Sequence, residues 1–276
     1  MAAGGNWWSR LADAFARLRG TGPVDPTGVR LPQARLRRRD GYVSLQFRQG
    51  QTQSRMRSDA PDRLLIDYTR TMLAALLWQP RPRRVGLVGL GGGSQVKFLR
   101  RHLPQVHVEV VENHPGVIAL RDAFGIPVDD EHLAVVLDDG ARFIAARPER
   151  YDLLLVDGYD AGGIPAALST ASFHRACRDA LAPGGVMASN LHCDDAAPHV
   201  ARLRDAFGAD RVLMVAEARM NNRIAFAWTG ARPAGDDANL DAVREALPDA
   251  ARRELAPVLE RVARELRLLA RAGCAR

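Results

Sequence analysis

A chain of 276 residues can bury one large core with small additions, and 47% hydrophobic with 26% charged residues is the balance of an ordinary globular protein. Nowhere do about 18 apolar residues run together, which excludes a membrane-spanning helix, and the N-terminus lacks the apolar stretch of a secretory signal, so the expected location is the cytoplasm. The net charge of +7 comes from arginines spread along the chain, with Lys97 the single lysine; the one dense cluster, Arg35-Leu-Arg-Arg-Arg39, has no aromatic interleaving, which argues against a nucleic-acid partner.

Residues 1–28 read as a tail and linker. Trp7, Trp8, Leu11, Phe15 and Leu18 suit a short amphipathic helix, and Thr21-Gly-Pro-Val-Asp-Pro-Thr-Gly28 is linker-like. Residues 29–60 read as a small β-hairpin module. Asp40-Gly41 marks a hairpin turn, Tyr42, Val43, Leu45 and Phe47 suit a strand, and Gln49-Gly50 suggests a second turn. Pro61 then opens a helix to about Trp78, with Leu64, Leu65, Tyr68, Met72 and Leu76 at helical spacing. Strands are predicted at 85–88, 106–111, 133–137, 153–156, 185–189, 212–215 and 224–228, with helices at 94–102, 116–124 and 169–181. This alternation predicts an α/β domain over 61–232, a seven-stranded and mostly parallel sheet whose last two strands end as a hairpin. Residues 233–276 read as a charged helical extension that packs on the body or mediates self-association.

In open α/β sheets, ligands bind beyond the carboxyl ends of the strands. The first strand ends in Gly89-Leu-Gly-Gly-Gly93, where Gly89, Gly91 and Gly93 can take positive φ and admit a ligand close to the backbone. The second ends in Glu112, placed to hold a ribose diol; the third ends in Asp139-Gly140, and the fourth in Asp157-Gly-Tyr-Asp160. Clustered carboxylates repel a dinucleotide's phosphates, and Ser94 stands where the dinucleotide fingerprint wants glycine. A cationic S-adenosyl sulfonium suits the crevice better, with Asp139 accepting from the adenine amino group. The expected class is therefore a Rossmann-like S-adenosylmethionine-dependent transferase fold. Asp157 and Asp160 can face a protonated amine, and a carboxylate that takes its proton restores the nucleophile. That chemistry needs no metal.

Residues from about 40 to 230 resemble the spermidine synthase (polyamine aminopropyltransferase) family. The resemblance rests on Gly-Leu-Gly-Gly-Gly, Val-Val-Glu112, Asp139-Gly140, Tyr151-Asp-Leu-Leu-Leu-Val-Asp157-Gly-Tyr-Asp160 and Leu181-Ala-Pro-Gly-Gly185, with Gly50-Gln-Thr-Gln53-Ser in the N-terminal module. It implies aminopropyl transfer from decarboxylated S-adenosylmethionine to an amine such as putrescine, and a homodimer. It implies Asp157 as proton acceptor, with Asp160, Tyr68 and Gln53 on the amine side. Glu112 would hold the ribose, and Asp139 and Gly140 the adenine. Four departures stand out: Gly92 where the family carries an aspartate, Thr69 for its His or Gln, Ala161 for its proline, and Glu112-Asn-His114 for its Glu-x-Asp. Methyl transfer from S-adenosylmethionine on the same fold, and a non-catalytic nucleoside-binding protein, are the alternatives.

The remaining candidates read as ordinary. Cys177, Cys193 and Cys274 are far apart and read as reduced thiols. His192-Cys193-Asp194 with His199 fits no compact zinc spacing. Cys177 is expected in the core, and His114 and His174 at the surface or behind the site. Asn190 is expected on the acceptor side, and Asn221-Asn222 in a hairpin turn.

Overall fold

The computed structural model describes residues 22–47, 52–159, 163–192 and 196–274. The amphipathic stretch at 1–20, the Gln49-Gly50 turn, Asp160, Cys193 and Asp194 lie outside the described residues.

Three short strands, β1 (Arg35–Arg39), β2 (Tyr42–Gln46) and β3 (Thr52–Arg57), form an antiparallel sheet in that order. The first turn has Asp40 at φ 51° and Gly41 at φ 76°, the doubly positive geometry that matches strand twist in a two-residue hairpin. Alternation buries Val43, Leu45, Ser54 and Met56 on the inner face.

The helix expected from Pro61 begins only at Asp67. Leu64 explains the delay, since its N–H donates to Glu254 (2.7 Å) and its carbonyl accepts from Arg70 (2.6 Å). Those bonds hold residues 61–66 outside a helical path. The helix α1 (Asp67–Leu73) then runs into a 3-10 turn, Ala74–Leu77.

The main sheet contains β4 (Arg84–Val88), β5 (His107–Glu112), β6 (Leu133–Leu137), β7 (Tyr151–Val156), β8 (Leu181–His192), β9 (Val212–Ala216) and β10 (Asn222–Trp228). Their spatial order is β6-β5-β4-β7-β8-β10-β9. All pairs from β6 to β8 are parallel, and β10 runs antiparallel to both β8 and β9. Strand β7 is apolar almost throughout because both sheet faces are covered.

The connecting helices are α2 (Ser94–His102), α3 (Pro115–Ile118), α4 (Gly140–Ala145), α5 (Ala171–Ala180) and α6 (Ala197–Phe207), followed by α7 (Asp237–Ala246) and α8 (Asp249–Cys274). The helix expected at 116–124 is α3 plus a separate 3-10 turn, Asp122–Phe124, closed by Gly125 at φ 62°. One face of the sheet packs Phe98, Met72 and Leu76 with Leu255 and Val262 of α8 and the inner face of the small sheet. The other packs Phe143, Phe173, Cys177, Leu203 and Phe207. Burying each such side chain contributes roughly 1.5–3 kcal/mol. Helix α8 also clamps α1: Arg261 donates to Glu217 (3.0 Å) and to Thr71 Oγ1 (2.5 Å). Among the described residues no helix is long and apolar enough to cross a membrane.

Strand β4 sits centrally, with β5 on one side and β7 on the other. The chain winds away from it in both directions, which leaves a crevice beyond the carboxyl ends of these strands.

Candidate active site

A cavity of about 490 Å³ opens at that crevice, within the range of small-molecule sites. It is lined by Gly89, Gly91, Glu112, Asp139, Gly140 and Asp157, so the four strand ends do converge. Tyr68 and Gln53 line it as well. Gly93 is absent from the lining; at φ 64°, a Cβ there would lie 2.4 Å from Ile126, so it serves the turn and its packing. Gly89, at φ 97°, lets the β4 loop cross the β7 loop: a Cβ would stand 2.4 Å from the Asp157 carbonyl oxygen.

Glu112 is buried, and both of its oxygens face the backbone. Oε2 accepts from the Leu90 N–H (2.8 Å) and Oε1 from the His114 N–H (2.9 Å). Burial raises its pKa, opposed by the N–H groups of Leu90, His114, Gly91 and Asn113. The carboxylate thus braces the glycine loop, and its remaining lone pairs can accept ribose hydroxyls. Asp139 caps α4, with Oδ1 accepting from the Arg142 N–H (2.8 Å). Among the described residues no donor takes its Oδ2, and Asp139 and Gly140 both line the cavity.

Asp157 is half-buried and held at both oxygens. Oδ1 accepts from Asn190 Nδ2 (2.8 Å), and Oδ2 accepts from the Tyr68 hydroxyl (3.0 Å). Burial raises its pKa from 3.8 to about 6, despite these two donors. Burial and the neighbouring Asp157 charge push the Tyr68 phenol well above its ordinary value, so it remains a donor. Asn190 does not line the cavity. It lies behind Asp157 near the end of β8, and its Oδ1 accepts from Asn222 (2.9 Å). Asn222 is buried as the first residue of β10 rather than placed in a turn, because the two strands set it diagonally across from Asn190. Tyr159 fixes the same strand end, donating to the Asn190 carbonyl (2.6 Å) and accepting from the His192 N–H (2.5 Å).

Of the two placements expected for His114 and His174, at the surface or behind the site, burial of both rules out the surface. His114 stacks on Phe47, its Nε2 bonds the Pro32 carbonyl (2.7 Å) and its Nδ1 accepts from Gly116. It ties the 29–32 segment into the cavity wall. Burial pushes His174 down to about 4. Cys177 is in the core, as expected. Among the described residues no cluster of three His, Cys, Asp or Glu side chains could hold a metal ion.

Residues 67–205, which include the four strand ends at this crevice, match the spermine/spermidine synthase domain model, half of the chain. The chain belongs to that family. A polyamine aminopropyltransferase of Chromobacterium violaceum is 34% identical over 173 residues, covering 62% of this chain and 66% of that protein. The match therefore spans just under two thirds of that relative's length. A probable spermidine synthase of Corynebacterium glutamicum superposes with a TM-score of 0.63 at 18% identity, covering 77% of this chain and 82% of that one. Human methyltransferase-like protein 13, solved with SAH, superposes with a TM-score of 0.58 at 23% identity, covering 70% and 92%. At these identities the likeness establishes a shared fold. Spermidine synthase family membership rests on the sequence match over α1 to α6.

Proposed function

We propose that the chain is an aminopropyltransferase, moving the aminopropyl group of decarboxylated S-adenosylmethionine to an amine such as putrescine. The observation that carries this reading is Asp157, fixed by Tyr68 and Asn190 on the wall of a cavity that also holds Glu112 and Asp139. In this reading Glu112 takes the ribose, and Asp139 and Gly140 take the adenine. Asp157 accepts a proton from the bound ammonium, with Asp160 and Gln53 helping to hold the amine. The freed nitrogen lone pair attacks the methylene carbon next to the sulfonium. A C–N bond forms, the C–S bond breaks, and its electron pair leaves on sulfur as 5′-methylthioadenosine. A base with a pKa near 6 is ionised at neutral pH and still close to the working pH. Placement of the two reactants supplies much of the rate. The homodimer and the cytoplasmic location implied by the family belong to this proposal.

The test supplies donor and putrescine and follows spermidine and 5′-methylthioadenosine. No protein-dependent increase in either would remove putrescine as the acceptor. Methyl transfer is a second reading, and Gly92 supports it, because a donor retaining its carboxylate meets no acid there. Product mass separates the two.

A further inference from the structure

The cavity is acidic at Glu112, Asp139 and Asp157, but one corner has a different character. It is built by Gly92, Ser54 of β3 and the first turn of α2. A Cβ on Gly92 would lie 2.6 Å from Ser54 Oγ and 3.0 Å from the Phe124 ring, so the loop and the small sheet are in close contact here. Ser54 is 8% exposed, and among the described residues its hydroxyl has no hydrogen-bond partner. The N-terminus of α2 is uncapped: Gly93 offers no side chain, and the first turn carries no acid. The first intrahelical bond is that of Lys97 to the Gly93 carbonyl, which leaves the N–H groups of Ser94, Gln95 and Val96 without backbone acceptors. Behind the corner lies Lys97, buried, donating to the Phe124 carbonyl (2.8 Å) and touching Met56 sulfur (3.2 Å). Among the described residues it forms no ion pair. The nearest acid of the loop, Glu112, is engaged with Leu90 and His114.

Free N–H groups at a helix start and a hydroxyl without a protein partner both favour an anion, and Lys97, engaged with Phe124 behind the cavity lining, adds only its charge from a distance. The cavity already has a place for a nucleoside and a sulfonium, so the anion belongs at the end of the sulfonium's tail. We propose that this corner seats the α-carboxylate of S-adenosylmethionine, so that the chain holds the carboxylated donor within about tenfold of the decarboxylated one. The inference rests on the S-adenosyl reading of the cavity and deepens it by widening the donor class. Ser54 and Gly92 are then the residues that set donor selectivity.

Titration calorimetry on the full chain tests it with three probes: S-adenosylmethionine, its decarboxylated form, and 5′-methylthioadenosine, which lacks the tail. Ser54→Ala is expected to weaken S-adenosylmethionine about tenfold, the worth of one hydrogen bond to a charged group, and to leave the other two unchanged. Gly92→Asp needs Ser54→Gly beside it to clear the contact. That double variant is expected to disfavour the carboxylated donor by a further tenfold or more, with methylthioadenosine affinity reporting an intact fold. The proposal is overturned if the native chain prefers the decarboxylated donor by more than about tenfold, or if Ser54→Ala shifts both donors equally. Failure of all three probes to bind would overturn the S-adenosyl reading itself.

Discussion

Replacing Asp157 with asparagine separates stability from chemistry. Burial raises this carboxyl from 3.8 to about 6. Keeping it ionised in the folded state above that pH costs about 3 kcal/mol as an upper bound, since its edge meets cavity water. Asparagine removes that cost but presents only one acceptor oxygen to Tyr68 and Asn190, losing about 1 kcal/mol of hydrogen bonding. Asp157→Asn should therefore stabilise the fold by about 1–2 kcal/mol at pH 8, a rise of a few degrees in Tm. The folded state of the native chain binds the extra proton between pH 3.8 and about 6, so its stability relative to the variant improves as pH falls through that window. The variant's advantage should be gone near pH 4. Transfer activity should fall roughly a hundred- to ten-thousandfold, the usual worth of a positioned base. Thermal melts of both proteins from pH 4 to 8, with a transfer assay at pH 8, check each part. A Tm difference that does not change with pH would refute the burial argument. Unchanged transfer would refute the assignment of the base.

Three further perturbations test the supporting residues. Tyr68→Phe removes a donor that favours the ionised carboxylate, so the acid limb of the kcat/KM profile should move to higher pH; an unmoved limb would mean the hydroxyl does not act on Asp157. Gly89→Ala places a methyl 2.4 Å from the Asp157 carbonyl oxygen at a φ of 97°. It should cost at least about 2 kcal/mol of stability and abolish nucleoside binding, measured by denaturant unfolding and calorimetry. Burial lowers Lys97 from 10.5 to about 8. The unfolded chain then binds more protons between those values, so this lysine makes stability rise with pH there. Comparing Lys97→Met with the native chain from pH 7 to 10 should show that component missing from the variant.

The parts of this site that a sequence displays are those that local chemistry dictates. Apolar runs followed by Gly89, Glu112, Asp139 and Asp157 announce strand ends, because a parallel strand buried on both faces must end where the first polar residue reaches the crevice. Strand positions follow for the same reason: the sequence pattern predicts a strand at 133–137, and β6 has those bounds. Helix starts were less faithful. The apolar spacing from Leu64 to Leu76 is helical, yet Glu254, 190 residues away, captures the Leu64 N–H and delays α1 to Asp67. A local pattern carries no trace of that partner.

Residues that act through long-range pairing were hidden for a related reason. Asn222 stands beside Asn221 and has the composition of a turn, but the antiparallel register of β10 on β8 buries it against Asn190. Asn190 itself gave a usable signal, an amide near the end of the otherwise buried run Val186–Leu191, where an unpaired polar group is costly. That cost required a partner, and the fold supplies Asp157 on the neighbouring parallel strand's loop. Ser54 followed the same logic from the other sheet. Alternation with Met56 placed it inward, where a hydroxyl demands a partner. In this case the protein provides none among the described residues, and the uncapped helix beside it leaves the same demand unmet. An inward polar residue that the fold satisfies is part of the scaffold, as Asn190 is. One that the fold leaves unsatisfied on a cavity wall marks where a ligand completes the bonding, and that contrast separates Ser54 from Asn190.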